Sequence, residues 1–214
     1  MPLEPTADTA LPEVPRLLRA LGWVAILGCV VFVVAVVIGD IVVPDHDWIA
    51  DTISDLGAGR YELIADSGIY AFAAGLIACA VGASHAHLGG RRWSLGIGGL
   101  ILLGLIVFLV GARNEYGDSH EGGVVIHRYL VYALGLLFAV VPWLMAPGAA
   151  RVSRRLALLF RVSAVLWVGA APWFFFLPDG WDGLYERGLG LLTFLFVVPM
   201  GLVLVGRARA IAGR

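Results

Sequence analysis

The chain reads as all-α: a polytopic transmembrane bundle of six helices, with a short amphipathic helix in its first outer loop. Three observations predict this. Hydrophobic residues make up 60% of the 214 residues and charged residues 14%, against about 25% charged in ordinary soluble domains. Several apolar runs approach the roughly 20 residues that carry a helix across a bilayer. The charges gather in the interruptions between those runs rather than along one helix face.

The elements follow in order. Residues 1–17 are rich in proline and acid, with little to pack, and read as a disordered tail. The first span covers about Leu18 to Val43. Its apolar run exceeds a signal-peptide core of roughly 7 to 15 residues and ends in Asp-Ile-Val-Val-Pro, which is no cleavage site. The second span covers Ser67 to His87 and the third Ser94 to Ala112. The fourth, Gly123 to Ala146, carries Pro142; the fifth, Leu156 to Leu177, carries Pro172; the sixth, Gly188 to Gly206, carries Pro199. Proline is tolerated in such helices because neighbours satisfy the freed carbonyls. Residues 18–206 thus form one transmembrane domain, and 207–214 a short cytoplasmic tail.

Every strongly basic residue is arginine, and eleven of the fifteen fall on the side that carries both termini. Arginine-rich loops stay inside, so both termini are expected in the cytoplasm of a bacterial cell, with the chain in its inner membrane. Thirteen of the sixteen acids lie on the opposite side. Acids do little to set topology, so insertion alone does not account for that excess. No basic stripe faces water, which excludes nucleic acid as a partner; the expected partners are the bilayer and a further membrane protein. Cys29 and Cys79 lie inside apolar runs and read as small core residues, not a metal pair. On the second span Ser67, Ala71, Gly75, Cys79 and Ala83 recur every fourth residue, a small-residue stripe that lets a neighbouring backbone approach.

The stretch HDWIADTISDLGAG, 46–59, interrupts this pattern. Read as a helix over 47–56, it places Ile49, Ile53 and Leu56 on one face and Asp47, Asp51, Ser54 and Asp55 on another. Asp45 or Asp47 is expected to cap it, Gly57 to end it, and Trp48 to lie at headgroup level. DTISDLGAG after a first span, followed by EGGVVIHRYLVYALG opening the fourth, resembles the domain-of-unknown-function family numbered nine-nine-eight. That resemblance implies a six-helix prokaryotic membrane protein, rests on the Ser-Asp-Leu-Gly element and His127, and carries no activity with it.

A second polar run, RNEYGDSHEGGVVIH, covers 113–127. The topology puts it on the same side, so His120, Glu121 and His127 share a surface with His46, Asp47, Asp51, Ser54 and Asp55. Imidazole with carboxylate suits Zn or Mn. A divalent metal on His120, His127, Asp51 and Asp55 would lower the pKa of a bound water and hydrolyse a lipid or envelope ester. Ser54 with Asp55 and His127 offers a nucleophile and base without a metal. Against both stands the plain reading that wet loops carry solvated acids and that Ser54 bonds its own backbone. Zinc-dependent membrane hydrolases of the alkaline ceramidase type use an HxxxH pair; none occurs here, and His85 and His87 are spaced to point apart and sit at the other end.

Two further classes remain open. A non-catalytic accessory or structural subunit would use these acids to pin loops, and PWFFFLPDGWDGLY at 172–185 and VPWLM at 141–145 as contact surfaces or an aromatic belt. A small-solute transporter would need ionisable groups near the bilayer centre, where the sequence offers only Ser163 and Thr193.

Overall fold

The structure, a computed structural model, describes residues 12–57, 60–112, 126–178 and 180–213. Its helices are α1 (Pro15–Val42), α2 (Ile53–Leu56), α3 (Glu62–His85), α4 (Arg91–Ala112), α5 (Ile126–Ala149), α6 (Arg154–Ala170) with a 3-10 continuation (Ala171–Phe176), and α7 (Asp182–Ala212). Among the described residues, six helical stretches are long and apolar enough to cross a membrane: all of these except α2, with α6 and its continuation counted as one. Their outward surfaces are apolar, as at Ile41, Leu63 and Phe176. This is the surface of a multi-pass membrane protein.

Local chemistry sets the helix ends. α1 opens at Pro15, earlier than the expected Leu18, because proline at the first helical position loses no hydrogen bond it would otherwise make. It closes where Pro44 forces Val43 into extended backbone (φ −74°, ψ 119°). Ser153 caps α6 by accepting from the Leu156 N–H at 3.4 Å. Pro172 ends that α-helix instead of bending it: the chain tightens to 3-10 geometry from Ala171.

The six spans form a ring. Each packs on its neighbours in sequence, and α7 returns to close against α1. The closure is backbone on backbone: a Cβ on Gly22 would lie 2.6 Å from the Gly201 carbonyl oxygen, and one on Gly201 2.7 Å from that of Gly22. α3 packs just as closely on α1, with Gly28 facing the Ala71 carbonyl and Gly75 facing Ala25. The stripe predicted on this helix is the seam, with one correction. Ser67 is exposed and bonds the Ile64 carbonyl at 2.7 Å; Gly68 takes its place and meets Ala35. Glu13 pairs with Arg207, so the two ends of the chain meet at one end of the ring. In that half Leu76, Leu100, Phe160, Phe196, Met200 and Leu204 fill the interior. The opposite half, beneath the loop joining α1 to α3, is hollow.

That loop is less helical than the 47–56 pattern predicts. Residues 48–50 form a turn, held by the Asp51 N–H on the Asp47 carbonyl at 2.7 Å. Only Ile53–Leu56 is helical, and the cap is Thr52 rather than Asp45 or Asp47. Thr52 Oγ1 accepts from the Asp55 N–H at 3.2 Å, and the Thr52 N–H donates to Asp55 Oδ2 at 2.6 Å. This reciprocal box outcompetes a longer helix. Gly57 ends the turn as expected. Ile53 and Leu56 are buried with Val36 and Ala65, a plug between α1 and α3.

The loop also docks onto the start of α7. The Gly183 and Leu184 N–H groups donate to the carbonyls of Ala50 (3.3 Å) and Ile49 (3.0 Å). Gly183 has no room for a side chain, since a Cβ would collide with the Asp51 carbonyl. Gly183→Ala is therefore expected to cost about 1–3 kcal/mol through overpacking, read as a lowered unfolding midpoint in detergent, while Gly180→Ala, whose Cβ meets no atom within 4 Å, reports the separate cost of its positive φ.

Candidate functional site

Arg187 is the hub of the loop end. From the second turn of α7 its guanidinium reaches back to the end of α1, donating to Asp40 from Nε at 3.2 Å and from Nη2 at 2.5 Å. Nη1 donates to the carbonyls of Asp51 and Gly183, each at 2.9 Å. His46 Nε2 lies 3.1 Å from Nη2. The same Nε2 lies 3.2 Å from Asp40 Oδ1, and Nδ1 faces Asp51 Oδ2 at 3.5 Å. The His46 side chain is 3% exposed and that of Arg187 12%. One step along α7, Glu186 accepts from the Ile53 N–H at 2.6 Å, which fixes the first turn of α2 and with it the next residue, Ser54.

Ser54 Oγ lies 3.4 Å from Nε2 of His127, on the first turn of α5 and 8% exposed. The two residues are distant in sequence, and the ring of helices brings them together. Both line the mouth of a cavity of about 500 Å³, well within the range of small-ligand sites. Every span contributes to its wall. Arg128, Asp182 and Glu186 stand at the same mouth; below, the lining turns to Phe32, Phe72, Leu134, Phe138 and Trp167. On α7 the lining runs from Asp182 to Thr193, about 16 Å of helix at 1.5 Å per residue, roughly half the thickness of a bilayer core. Asp66, on α3, lines it too, and its Oδ1 is buried without a hydrogen-bond partner among the described residues.

The residues singled out from sequence separate into groups. Ser54 and His127 come together at the cavity. Asp55 is spent on the Thr52 box, its Oδ2 also accepting from Thr52 Oγ1 at 2.8 Å. Asp51 accepts from the Asp47 N–H at 2.8 Å and faces His46. His120, with Glu115, Asp118 and Glu121, lies outside the described residues, as do Ala58 and Gly59. Among the described residues no three His, Cys, Asp or Glu side chains converge as a metal would require. At the other end His85 Nε2 accepts from the Val14 N–H at 2.6 Å, a structural use. Ser163 is buried, and Thr193 bonds the Gly190 carbonyl at 2.6 Å.

Sequence reasoning passed over Glu186, Arg187 and Asp66. Glu-Arg at the head of the last span was the available signal for the first two, an adjacent acid and base where the chain re-enters lipid. A second span starting at Ser67 leaves Asp66 outside it; α3 begins at Glu62 and carries Asp66 on the cavity side.

Residues 26–203 match the family described as Protein of unknown function (DUF998). The chain belongs to this family. No curated protein and no solved structure shows significant similarity to it. The DUF998 match spans α1 to α7 and thus every wall of the cavity, but assigns no activity.

Replacing Arg187 by Met removes the cation from a buried cluster and leaves Asp40 with only the His46 ring beside it. The expected cost is about 3–5 kcal/mol, measured as a loss of unfolding stability in mixed micelles; Asp40→Asn with Arg187→Met should recover part of it.

Proposed function

We propose that this protein binds an ester-bearing amphiphile in the cavity and hydrolyses it at the mouth, with Ser54 as nucleophile and His127 as base. The observation that carries this reading is the Ser54 Oγ to His127 Nε2 contact of 3.4 Å at the polar rim of an otherwise apolar hollow. The distance suits a nucleophile and base before substrate tightens them. The acyl part of the ligand lies among Phe72, Phe138 and Trp167, and the polar part stays at the rim.

The chemistry needs no group beyond water. With the proton of His127 on Nδ1, Nε2 takes the Ser54 hydroxyl proton as Oγ bonds to the ester carbonyl carbon. The ester C–O bond breaks, and the leaving alkoxide receives that proton from Nε2. Water, deprotonated by the same nitrogen, then attacks the acyl-serine; the acid leaves and Ser54 regains its proton. In this reading Asp55 serves the reaction only by shaping the turn that presents Ser54, and Glu186 positions the same turn from α7.

The metal-assisted form of this hydrolysis rests on His120 and His127, since Asp51 and Asp55 have other bonds. The Arg187 cluster favours the second reading, an accessory subunit whose loop acids only fasten the fold. A carrier is less well supported, because the ionisable groups stand at the rim and the deep wall is aromatic and aliphatic. We place the protein in a bacterial cytoplasmic membrane with both termini inside and the cavity mouth outside, on the arginine distribution.

Three measurements test this. A fluorophosphonate probe should label the detergent-purified protein at Ser54; labelling should vanish in Ser54→Ala and fall at least about a hundredfold in His127→Ala, the usual scale of a lost general base. No labelling of a folded sample would favour the accessory-subunit reading. Elemental analysis of wild type beside the His120→Ala, His127→Ala double variant separates the metal-assisted form, which requires near-stoichiometric Zn or Mn that disappears in the variant. For orientation, Arg60→Cys should react with an impermeant thiol reagent in intact cells and Ala150→Cys should not; the native Cys29 and Cys79 are buried and contribute no background.

A further inference from the structure

We infer that the polar part of the bound amphiphile carries a protonated amine, and that Asp66 is the group that reads it. The inference rests on the reading that the cavity takes an amphiphile, and it names the class. Asp66 contributes to the cavity wall, and its Oδ1 is buried with no hydrogen-bond partner among the described residues. A buried polar oxygen left unmatched is unfavourable, and more so if charged. That cost is recovered when a ligand brings a donor.

The surroundings narrow the donor. Among the described residues three carboxylates, Asp66, Asp182 and Glu186, line the cavity against one guanidinium, that of Arg128. Arg128 is exposed, so its charge is screened by water, whereas Asp66 Oδ1 is shielded. Glu186 already accepts from the Ile53 N–H, Arg187 is engaged by Asp40 and two carbonyls, and Arg60 lies over the Tyr61 ring. Among the described residues no basic side chain pairs with Asp66. Those residues therefore present Oδ1 as an acceptor without a donor to whatever occupies the cavity. An anionic headgroup meets repulsion there, a neutral hydroxyl makes one ordinary hydrogen bond, and an ammonium makes a charge-assisted one. Asp66 also lies beside the catalytic turn: a Cβ on Gly57 would be 3.6 Å from its Oδ1, with Ser54 the carbonyl neighbour at 3.3 Å. The amine thus sits close to the bond that Ser54 would attack, and the chain of the amphiphile runs away from it into the aromatic depth.

The test compares three probes of equal chain length, dodecylamine, dodecyl glycerol ether and dodecyl phosphate, bound to the intact protein in neutral maltoside micelles and followed by native mass spectrometry. The amine should bind at least about tenfold tighter than the phosphate. Asp66→Asn should bring the two within about twofold, Asp66→Glu should keep the preference, and Ser54→Ala should leave it unchanged. Retention of the preference in Asp66→Asn, or equal binding of phosphate in wild type, overturns the inference. If no probe binds, the amphiphile reading falls with it. If the amine preference follows Asp66 while Ser54 resists fluorophosphonate, the hydrolase reading fails and the ligand class stands; the Asp66→Glu variant guards against mistaking misfolding for lost recognition.

Discussion

The attraction between Arg187 and Asp40 joins the last helix to the first at the edge of the hydrocarbon, and much of the loop end is built around it. A guanidinium taken out of water needs its charge and its donors answered together. Arg187 achieves this with one carboxylate and two backbone carbonyls, and the ring of His46 lies against it. Each partner comes from a different piece of chain, so satisfying one side chain fixes the end of α1, the loop and the head of α7 at once. Glu186 does the same for the first turn of α2. Ser54 owes its place to this fastening, since it lies in a single helical turn that would not persist alone.

The acids of the loop end divide by what answers them. Asp40, Asp51 and Asp55 are met by protein groups and spend their charge on shape. Asp66 faces the hollow, and its Oδ1 has no hydrogen-bond partner among the described residues. A carboxylate with every lone pair occupied has little left for a ligand; one beside a cavity, short of donors, has chemistry in reserve. Burial and partnership therefore mark where binding is to be sought better than the density of acids does, and they move attention from Asp51 and Asp55 to Asp66.

Much of the architecture was legible in the chain. Long apolar runs and the proline at position 44 fix where spans begin and end, because lipid allows few alternatives. The stripe through Ala71, Gly75 and Cys79 identified the helix seam for the same reason. The loop was harder. The spacing of Ile49, Ile53 and Leu56 fits a longer helix, but Thr52 and Asp55 form a box that starts the helix at Ile53, and docking on Gly183 holds the preceding residues as a turn. Ser54 and His127 were both visible as candidates, yet their contact depends on how α5 sits against the loop, which no spacing encodes. The cavity was not legible at all: its walls are Phe, Leu, Val and Trp that read as ordinary core, and only the ring arrangement leaves the space between them unfilled.

The glycine contact that closes the ring has a bearing on how the molecule is made. Gly22 and Gly201 come from the first and last spans, so the hollow has no complete wall until the final helix has entered the bilayer. α3, whose Gly75 and Ala71 fit α1, covers one face of that helix, and α7 covers the face of Gly22. The span that completes the wall is also the one that brings Glu186 and Arg187 to the loop. Interior volume and the placement of Ser54 therefore both depend on the last span.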